Sequence, residues 1–425
     1  MAHTISAGVG ERMQYLAHNY NDTTIRFILQ YPGLLDSKTL CAATKAVVGS
    51  VDVLHASFLA NFRSAHWQVN KDYAVSDYFA LIDCDGDPLK PAKSLALQSI
   101  AHGAKCQLHV TQINGSWNTA VLVRISHLVV DGSDGIYLMG KLAESYRLIE
   151  QTENTERLTV KDGSRSAMNA YHELSKKELA SLLKSPFHGV KTEYPFTTPT
   201  DHALPRMLHC TIPADLLAAA RQKAKAQGAT VNDLLLTACY RSFAKAVDRQ
   251  GKMSISSMMD LRQHCKDGVS EGLSNMSGGL STTLEVSEEH SFSDDLQSIA
   301  TQTTQAKSDP LAGLSGIPAL HAATKAFPMW LLLRAADIVY SSMSLSLTNL
   351  GNIPLTPLSM GDLTPNKGIF GGPLKRKPSV QVCAASFDGT AELTILGDFT
   401  DEDLDSLQHF LYGMRQELAS YGEEV

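Results

Sequence analysis

Residues 121–135 read VLVRISHLVVDGSDG. Aliphatic and β-branched residues crowd Val121 to Ile125, the composition of a buried strand. The strand runs straight into His127, and Asp131 and Gly132 follow at the spacing H-x-x-x-D-G. Ser133 or Asp134 is suited to cap a helix that continues through Ile136, Met139, Leu142 and Tyr146. A histidine held where a strand gives way to a helix is poised to move protons.

Working outward, two strand patterns, Gln107 to Ile113 and Thr119 to Ser126, are joined by Asn114-Gly115, a hairpin signal that delivers His127. Thr23 to Tyr31 reads as another strand, stopped by Pro32-Gly33. Asp36 or Ser37 then caps a helix with Leu40, Thr44, Val47 and Val51 on one face, and a strand follows over Ala56 to Phe62. Pro91 to His102 has helical spacing, and Gly8, Val9 and Gly10 read as a mobile terminus. From about Gln151 to Arg206 the periodicity weakens into polar, proline-bearing text. A second block then alternates again. His209 to Pro213 is strand-like, Ala214 to Gln227 and Val231 to Val247 are helical, and further strands fall at Ser254–Met259, Gly279–Glu285, Met343–Leu347, Ser379–Phe387 and Glu392–Gly397. Asp401 to Tyr421 closes as a helix opening on the acidic run DEDLD, which suits a helix N-terminus. The expected division is an N-terminal lobe over 1–160, a crossing over 161–206 and a C-terminal lobe over 207–425.

Composition narrows the class. The 425 residues exceed a usual single core, and 44% hydrophobic with 19% charged residues describes a globular chain. A net charge of -7 argues against nucleic acid as the main partner, since phosphate binding needs clustered Lys and Arg, and the basic run at Lys375 to Lys377 is short. Seven cysteines without paired spacing fit reduced thiols, and no charged n-region precedes an apolar stretch at the start, so cytoplasmic residence is the expectation. Phe327 to Tyr340, FPMWLLLRAADIVY, is too short to span a bilayer and reads as a buried amphipathic helix rather than a membrane-surface one. No G-x-S-x-G, P-loop or dinucleotide fingerprint is present, which leaves serine hydrolase, nucleotide and NAD readings without support. His66 beside Trp67 and His264 beside Cys265 read as ordinary histidines rather than parts of a thiol nucleophile.

HLVVDG, set between strand and helix, resembles the signature of the acyltransferase superfamily that includes chloramphenicol acetyltransferase, plant acyltransferases and nonribosomal peptide condensation domains. GATVNDLLLTA at 228–238, MMDLRQH at 258–264, SNMSG at 274–278 and SLTNLGN at 346–352 resemble other elements of that superfamily, in its order. The resemblance implies an α/β fold of two lobes, each a mixed β-sheet flanked by helices, with a tunnel between them. Two departures stand out. Condensation domains usually carry two histidines in a row, whereas Ser126 precedes His127 here, and the plant D-F-G-W-G is absent, the nearest text being Gly368 to Gly372, GIFGG. The single histidine shifts the expectation from peptide condensation toward simpler acyl transfer.

The implied activity is a stand-alone acyltransferase that moves an acyl group from a thioester to a hydroxyl or amine, in secondary metabolism. The donor would be acyl-CoA or a phosphopantetheinyl carrier protein, the acceptor a small molecule, with no bound cofactor and the chain a monomer. The alternatives are cyclisation or hydrolysis of a thioester-bound intermediate, and a noncatalytic recruiting module. A neutral imidazole, with an ordinary pKa near 6.5, can take the acceptor's proton, which makes His127 the general base. Asp131, four residues on, would share a helical face with His127 as a metal pair does, but the strand before it and Gly132 after it oppose that reading, so no metal is expected. By resemblance Asp131 points away from the tunnel and pairs with an arginine, Arg262 being the candidate and Arg124 the rival. Gly132 reads either as a gap where substrate passes or as a turn with positive φ. Thr348 and Asn349 are candidates for the oxyanion and the tunnel lining, with ordinary turn chemistry equally open.

Overall fold

The computed structural model describes residues 3–61, 64–152, 158, 160–161, 165–184, 202–265, 272–340, 345–376 and 379–423. Two mixed sheets dominate. The first has the order Lys367–Gly371, Thr24–Tyr31, Thr119–Ser126, Leu108–Asn114 and Phe79–Asp83, antiparallel except at its last pair. Every residue of Thr119–Ser126 is buried, because helices lie on both faces, and that is why its sequence is a continuous apolar run rather than an alternation. Ile25, Phe27, Leu29, Val121, Val123 and Ile125 pack with residues of the helices Ser37–Gly49 and Gly132–Thr152. On the other face, Ile28, Ala120 and Leu122 meet Leu89, Ala92 and Ala96 of the short Leu89–Leu95 helix and its end. Thr24 pairs with Ser126, so His127 is the first residue beyond the paired ladder.

The second sheet has the order Ser277–Val286, Gly251–Asp260, Leu345–Ile353, Val380–Phe387, Thr390–Phe399 and Leu204–Ile212. Leu345–Ile353 runs parallel to both neighbours; the other pairs are antiparallel. Four helices, Ala214–Ala226, Val231–Ala246, Phe292–Ser308 and Asp401–Glu423, close its core. Thr230 caps the second of these through a reciprocal pair with Asp233.

Several expectations need correction. Lys367–Gly371, expected in the C-terminal lobe, instead joins the first sheet, antiparallel to Thr24–Tyr31. A boundary at 207 therefore does not divide the sheets, and Leu204–Ile212 also straddles it. Gly368 permits the crossover, since a Cβ there would stand 2.3 Å from the Phe387 ring. Ala56–Ala60 pairs in a separate small sheet with Ala65–Val69, which in turn pairs with Thr4–Ser6. Val9–Leu16 is a helix rather than a mobile terminus, and Val9 packs with Leu261, Met276 and Ile317 of the second half. The helix expected over Pro91 to His102 is shorter, Leu89–Leu95. The crossing holds the helix Lys176–Lys184, while 185–201 lie outside the described residues, as do 62, 343 and 344 of two expected strands. Met329–Tyr340 buries Met329, Leu332 and Ala336 but exposes Trp330, Leu331 and Ile338, so it is buried on one side only. Among the described residues no helix is long and apolar enough to cross a membrane.

Candidate active site

His127 is fixed at three points, two on its main chain and one on its ring. Its main-chain N–H donates to the Thr23 carbonyl at 2.7 Å, and its own carbonyl accepts from Asn275 Nδ2 at 3.0 Å. Ring Nδ1 lies 2.7 Å from the Val130 carbonyl and 3.1 Å from Asn275 Nδ2. A carbonyl can only accept, so the contact with Val130 places the ring proton on Nδ1 and leaves the Nε2 lone pair free. With that tautomer the Asn275 amide serves the His127 carbonyl. Leu128, Val129 and Val130 are fully buried, which clamps the turn that presents the ring. Burial pulls the imidazole below its ordinary pKa, by more than the Val130 carbonyl and the Asp131 charge restore.

Asp131 holds the turn through contacts of its own. Its Oδ1 accepts the Asp134 N–H at 3.1 Å, the capping contact for the Gly132–Thr152 helix. Ser133 and Asp134, the expected caps, lie inside the helix instead. Its Oδ2 accepts from Arg262 Nη1 at 2.7 Å and from the Met276 N–H at 2.8 Å. Both oxygens of Asp131 are thus engaged within the protein. Arg124, the rival, donates to Gln98 Oε1 at 3.2 Å and to His109 Nδ1 at 3.1 Å.

Arg262 gathers more than Asp131. Nη2 donates to Asp134 Oδ2 at 2.8 Å and Nη1 to Asp260 Oδ1 at 3.1 Å, while Asp260 Oδ2 accepts from the Ser133 hydroxyl at 3.2 Å. Asp134 Oδ2 also takes the Ser274 N–H at 2.9 Å. Burial opposes the guanidinium charge, yet Asp131, Asp134 and Asp260 together raise its pKa. Asp134 moves the other way from a paired acid: burial and the Asp131 charge push its carboxyl up to about 6, by more than Arg262 and the Ser274 N–H pull it down. This network locks the motif turn to the 260–262 and 274–276 segments of the second half.

Gly132 is absent from the positive-φ positions, so the turn reading does not hold. A Cβ there would meet Leu350 Cδ2 at 2.3 Å, which makes the glycine a point of close approach between the motif and the strand Leu345–Ile353. Thr348 and Asn349 sit on that strand, half-buried, beside a bulge in its pairing. Asn349 Oδ1 accepts the Gly351 N–H at 2.9 Å and Gly351 has φ +73°, which is turn chemistry. Cys265 is a buried thiol raised by burial, and His264 Nε2 contacts the Ala312 carbonyl at 2.7 Å, so the two form no nucleophile pair. Asn275 and Asp134 are the site residues the sequence reading did not single out. Asn275 was visible only as a member of SNMSG, and Asp134 only as a cap.

No protein family and no curated protein matches the chain. Solved structures do. The first condensation domain of the CDA synthetase is similar at 15% identity and TM-score 0.70, over 100% of this chain and 99% of that one. The trichothecene 15-O-acetyltransferase of Fusarium sporotrichioides is similar at 13% and 0.67, over 97% and 95%. The starter condensation domain of rhizomide synthetase, solved as a mutant with C8-CoA and Leu-SNAC, is similar at 14% and 0.67, over 98% and 94%. At such identities the likeness establishes the fold: this is the two-lobed α/β architecture of condensation domains and chloramphenicol acetyltransferase-like enzymes.

Proposed function

We propose that the chain is an acyltransferase that moves an acyl group from a thioester to a hydroxyl or amine of a small molecule, in secondary metabolism. The observation that carries this reading is the 2.7 Å contact of His127 Nδ1 with the Val130 carbonyl, which leaves Nε2 as the basic nitrogen. The acceptor's O–H or N–H gives its proton to Nε2 as the heteroatom attacks the thioester carbonyl. Collapse of the adduct breaks the carbon–sulfur bond, and the same Nε2–H protonates the departing thiolate. Because burial disfavours the imidazolium, the ring returns the proton readily. Donor and acceptor meet between the two lobes, where holding both in register supplies much of the acceleration. Coenzyme A esters and acyl carrier proteins are the donors to try, in keeping with the C8-CoA held by the rhizomide starter domain and the antibiotic and trichothecene chemistry of the similar structures.

The test is thiol release from a panel of acyl-CoA and acyl carrier donors, with and without alcohol and amine acceptors. Release that requires an acceptor and disappears in His127→Ala supports transfer. Release without any acceptor replaces it with hydrolysis, and no release from any donor removes the reading.

A further inference from the structure

Away from His127, three side chains from distant parts of the chain form a second polar relay. His209 lies on the strand Leu204–Ile212 and Glu392 on its antiparallel neighbour Thr390–Phe399, with Thr394 opposite His209 and Thr211 opposite Glu392. Positions two apart on a strand share a face, so these four side chains lie on one side of the second sheet. That side meets the first half of the molecule. The Thr394 hydroxyl donates to the Phe370 carbonyl at 2.6 Å, and Met207, two residues before His209, packs against the cluster of Ile28, Leu89 and Ala92. Lys93, on the helix Leu89–Leu95, reaches across from the first half and brings its Nζ to 3.4 Å from His209 Nδ1.

The proton positions in the relay follow from its partners. His209 Nε2 lies 2.6 Å from Glu392 Oε2, and a carboxylate only accepts, so Nε2 carries the ring proton and the neutral ring presents its Nδ1 lone pair to Lys93. The Thr211 hydroxyl donates to the same Oε2 at 2.6 Å, and the Glu392 side chain is only 3% exposed, so the carboxylate is held in place. Carboxylate, imidazole and amine thus stand in line, the order in which a base activates an attacking group. Lys93 is half-buried. Burial and the Lys367 charge lower its pKa by more than Glu392 and Asp87 raise it, which favours the free amine that a nucleophile must be. A groove of about 530 Å³, lined in part by Gln30, Leu89, Trp117 and Lys367, opens one helical turn away, since Leu89 and Lys93 share a helix face. Gln30 and Lys367 pair at the end of the first sheet remote from His127, which follows the Thr24–Ser126 pair.

We propose that Lys93 is a self-acylation site whose amine takes an acyl group from a thioester, with His209 as the base and Glu392 as the carboxylate that orients it. The thioester class rests on the acyl-transfer reading, but the step uses none of the His127 machinery. The Nζ lone pair adds to the thioester carbonyl carbon, and the carbonyl π pair moves onto oxygen. The adduct's nitrogen then gives a proton to His209 Nδ1, and Glu392 faces the imidazolium so formed. As the pair on oxygen returns, the carbon–sulfur bond breaks and the thiolate leaves with the proton from Nδ1. The product is an uncharged amide, and atoms and electrons balance without any further reactant.

The test is to incubate the full chain with acetyl-CoA near neutral pH, digest it, and follow acetylation of each lysine by mass spectrometry. Lys93 should be acetylated about 100-fold faster than the exposed Lys225 and Lys252, the lower end of what a positioned base contributes. His209→Gln keeps a donor for Glu392 but cannot take the amine's proton, and should remove most of that advantage. A parent rate at Lys93 within about threefold of the two exposed lysines overturns the proposal. So does a fast Lys93 that is unaffected in folded His209→Gln. If that variant does not fold, Glu392→Gln is read in the same way, and the comparison with Lys225 and Lys252 in the parent decides by itself. In His127→Ala the acetylation of Lys93 should persist while acceptor-dependent thiol release disappears. Loss of Lys93 acetylation in His127→Ala overturns the relay, because the acyl group would then come from the other site. Fast acetylation of Lys93 in a parent that transfers to no small acceptor removes the acyl-transfer reading and leaves the relay standing.

Discussion

At the scale of the residue, His127 suits the proposed role of base because one nitrogen is spent on a main-chain carbonyl and the other is left with a lone pair. Replacing it with Ala should lower kcat by about 100- to 10,000-fold while the melting temperature stays put, since its removal leaves the Thr23 and Asn275 main-chain contacts in place. Retained turnover would remove the base assignment. Burial also fixes a sign: with the folded pKa below 6.5, kcat/KM should be flat above that pH and fall to half only below it. A half-maximal point above pH 7 would contradict this. His127 and Asp131 were legible because the motif's spacing is local. Asn275 was not, for it reaches His127 across 148 positions of sequence, and nothing in a lone asparagine announces such a contact.

At the scale of the element, the strand–turn–helix unit depends on Asp131 serving two masters, the helix through Oδ1 and the second half of the chain through Oδ2. Asp131→Asn should therefore lower stability and rate together, and Arg262→Ala should cost about 3–5 kcal/mol by stranding buried carboxylates. In a double-mutant cycle the two positions should couple by about 1–3 kcal/mol; additive effects would mean the contact carries no energy. Gly132→Ala should cost about 1–3 kcal/mol by forcing Leu350 aside, and Leu350→Ala in the same chain should recover part of it. The helix start was misplaced in the sequence because three capping residues, Asp131, Ser133 and Asp134, lie within four positions, and only geometry shows which one faces a free N–H. The Leu350 contact was illegible for a different reason. A glycine's emptiness is visible in a sequence, but what fills it is not.

At the scale of the whole molecule, half-buried histidines are expected to set the response to acid. Burial lowers both His102 and His109 to about 4, so the unfolded chain takes up protons first as pH falls, and stability drains away between about 6.5 and 4. Asp134 acts in the opposite sense: raised to about 6, it adds stability as pH falls from there toward 3.8. Two histidines with larger displacements outweigh one carboxylate, so the melting temperature should drop from pH 6.5 to 4, and His109→Gln should flatten part of that drop. A melting temperature that rises over this interval would reverse the balance. The alternation of strands and helices in two blocks was readable from periodicity and turn residues, and the two sheets follow it. The excursion of Lys367–Gly371 into the first sheet was hidden, because a glycine-rich segment of five residues has little strand signature and its partner lies over 300 positions upstream.

That excursion bears on how the protein comes into being. The first sheet cannot be completed while the chain is being synthesised until residue 371 has left the ribosome, so the Thr24–Tyr31 edge waits, unpaired, through most of translation. An open edge of that length is a site for pairing with other chains. A fragment ending near residue 206 should therefore aggregate, and adding residues 367–371 back, joined by a short linker in place of the intervening lobe, should restore its solubility.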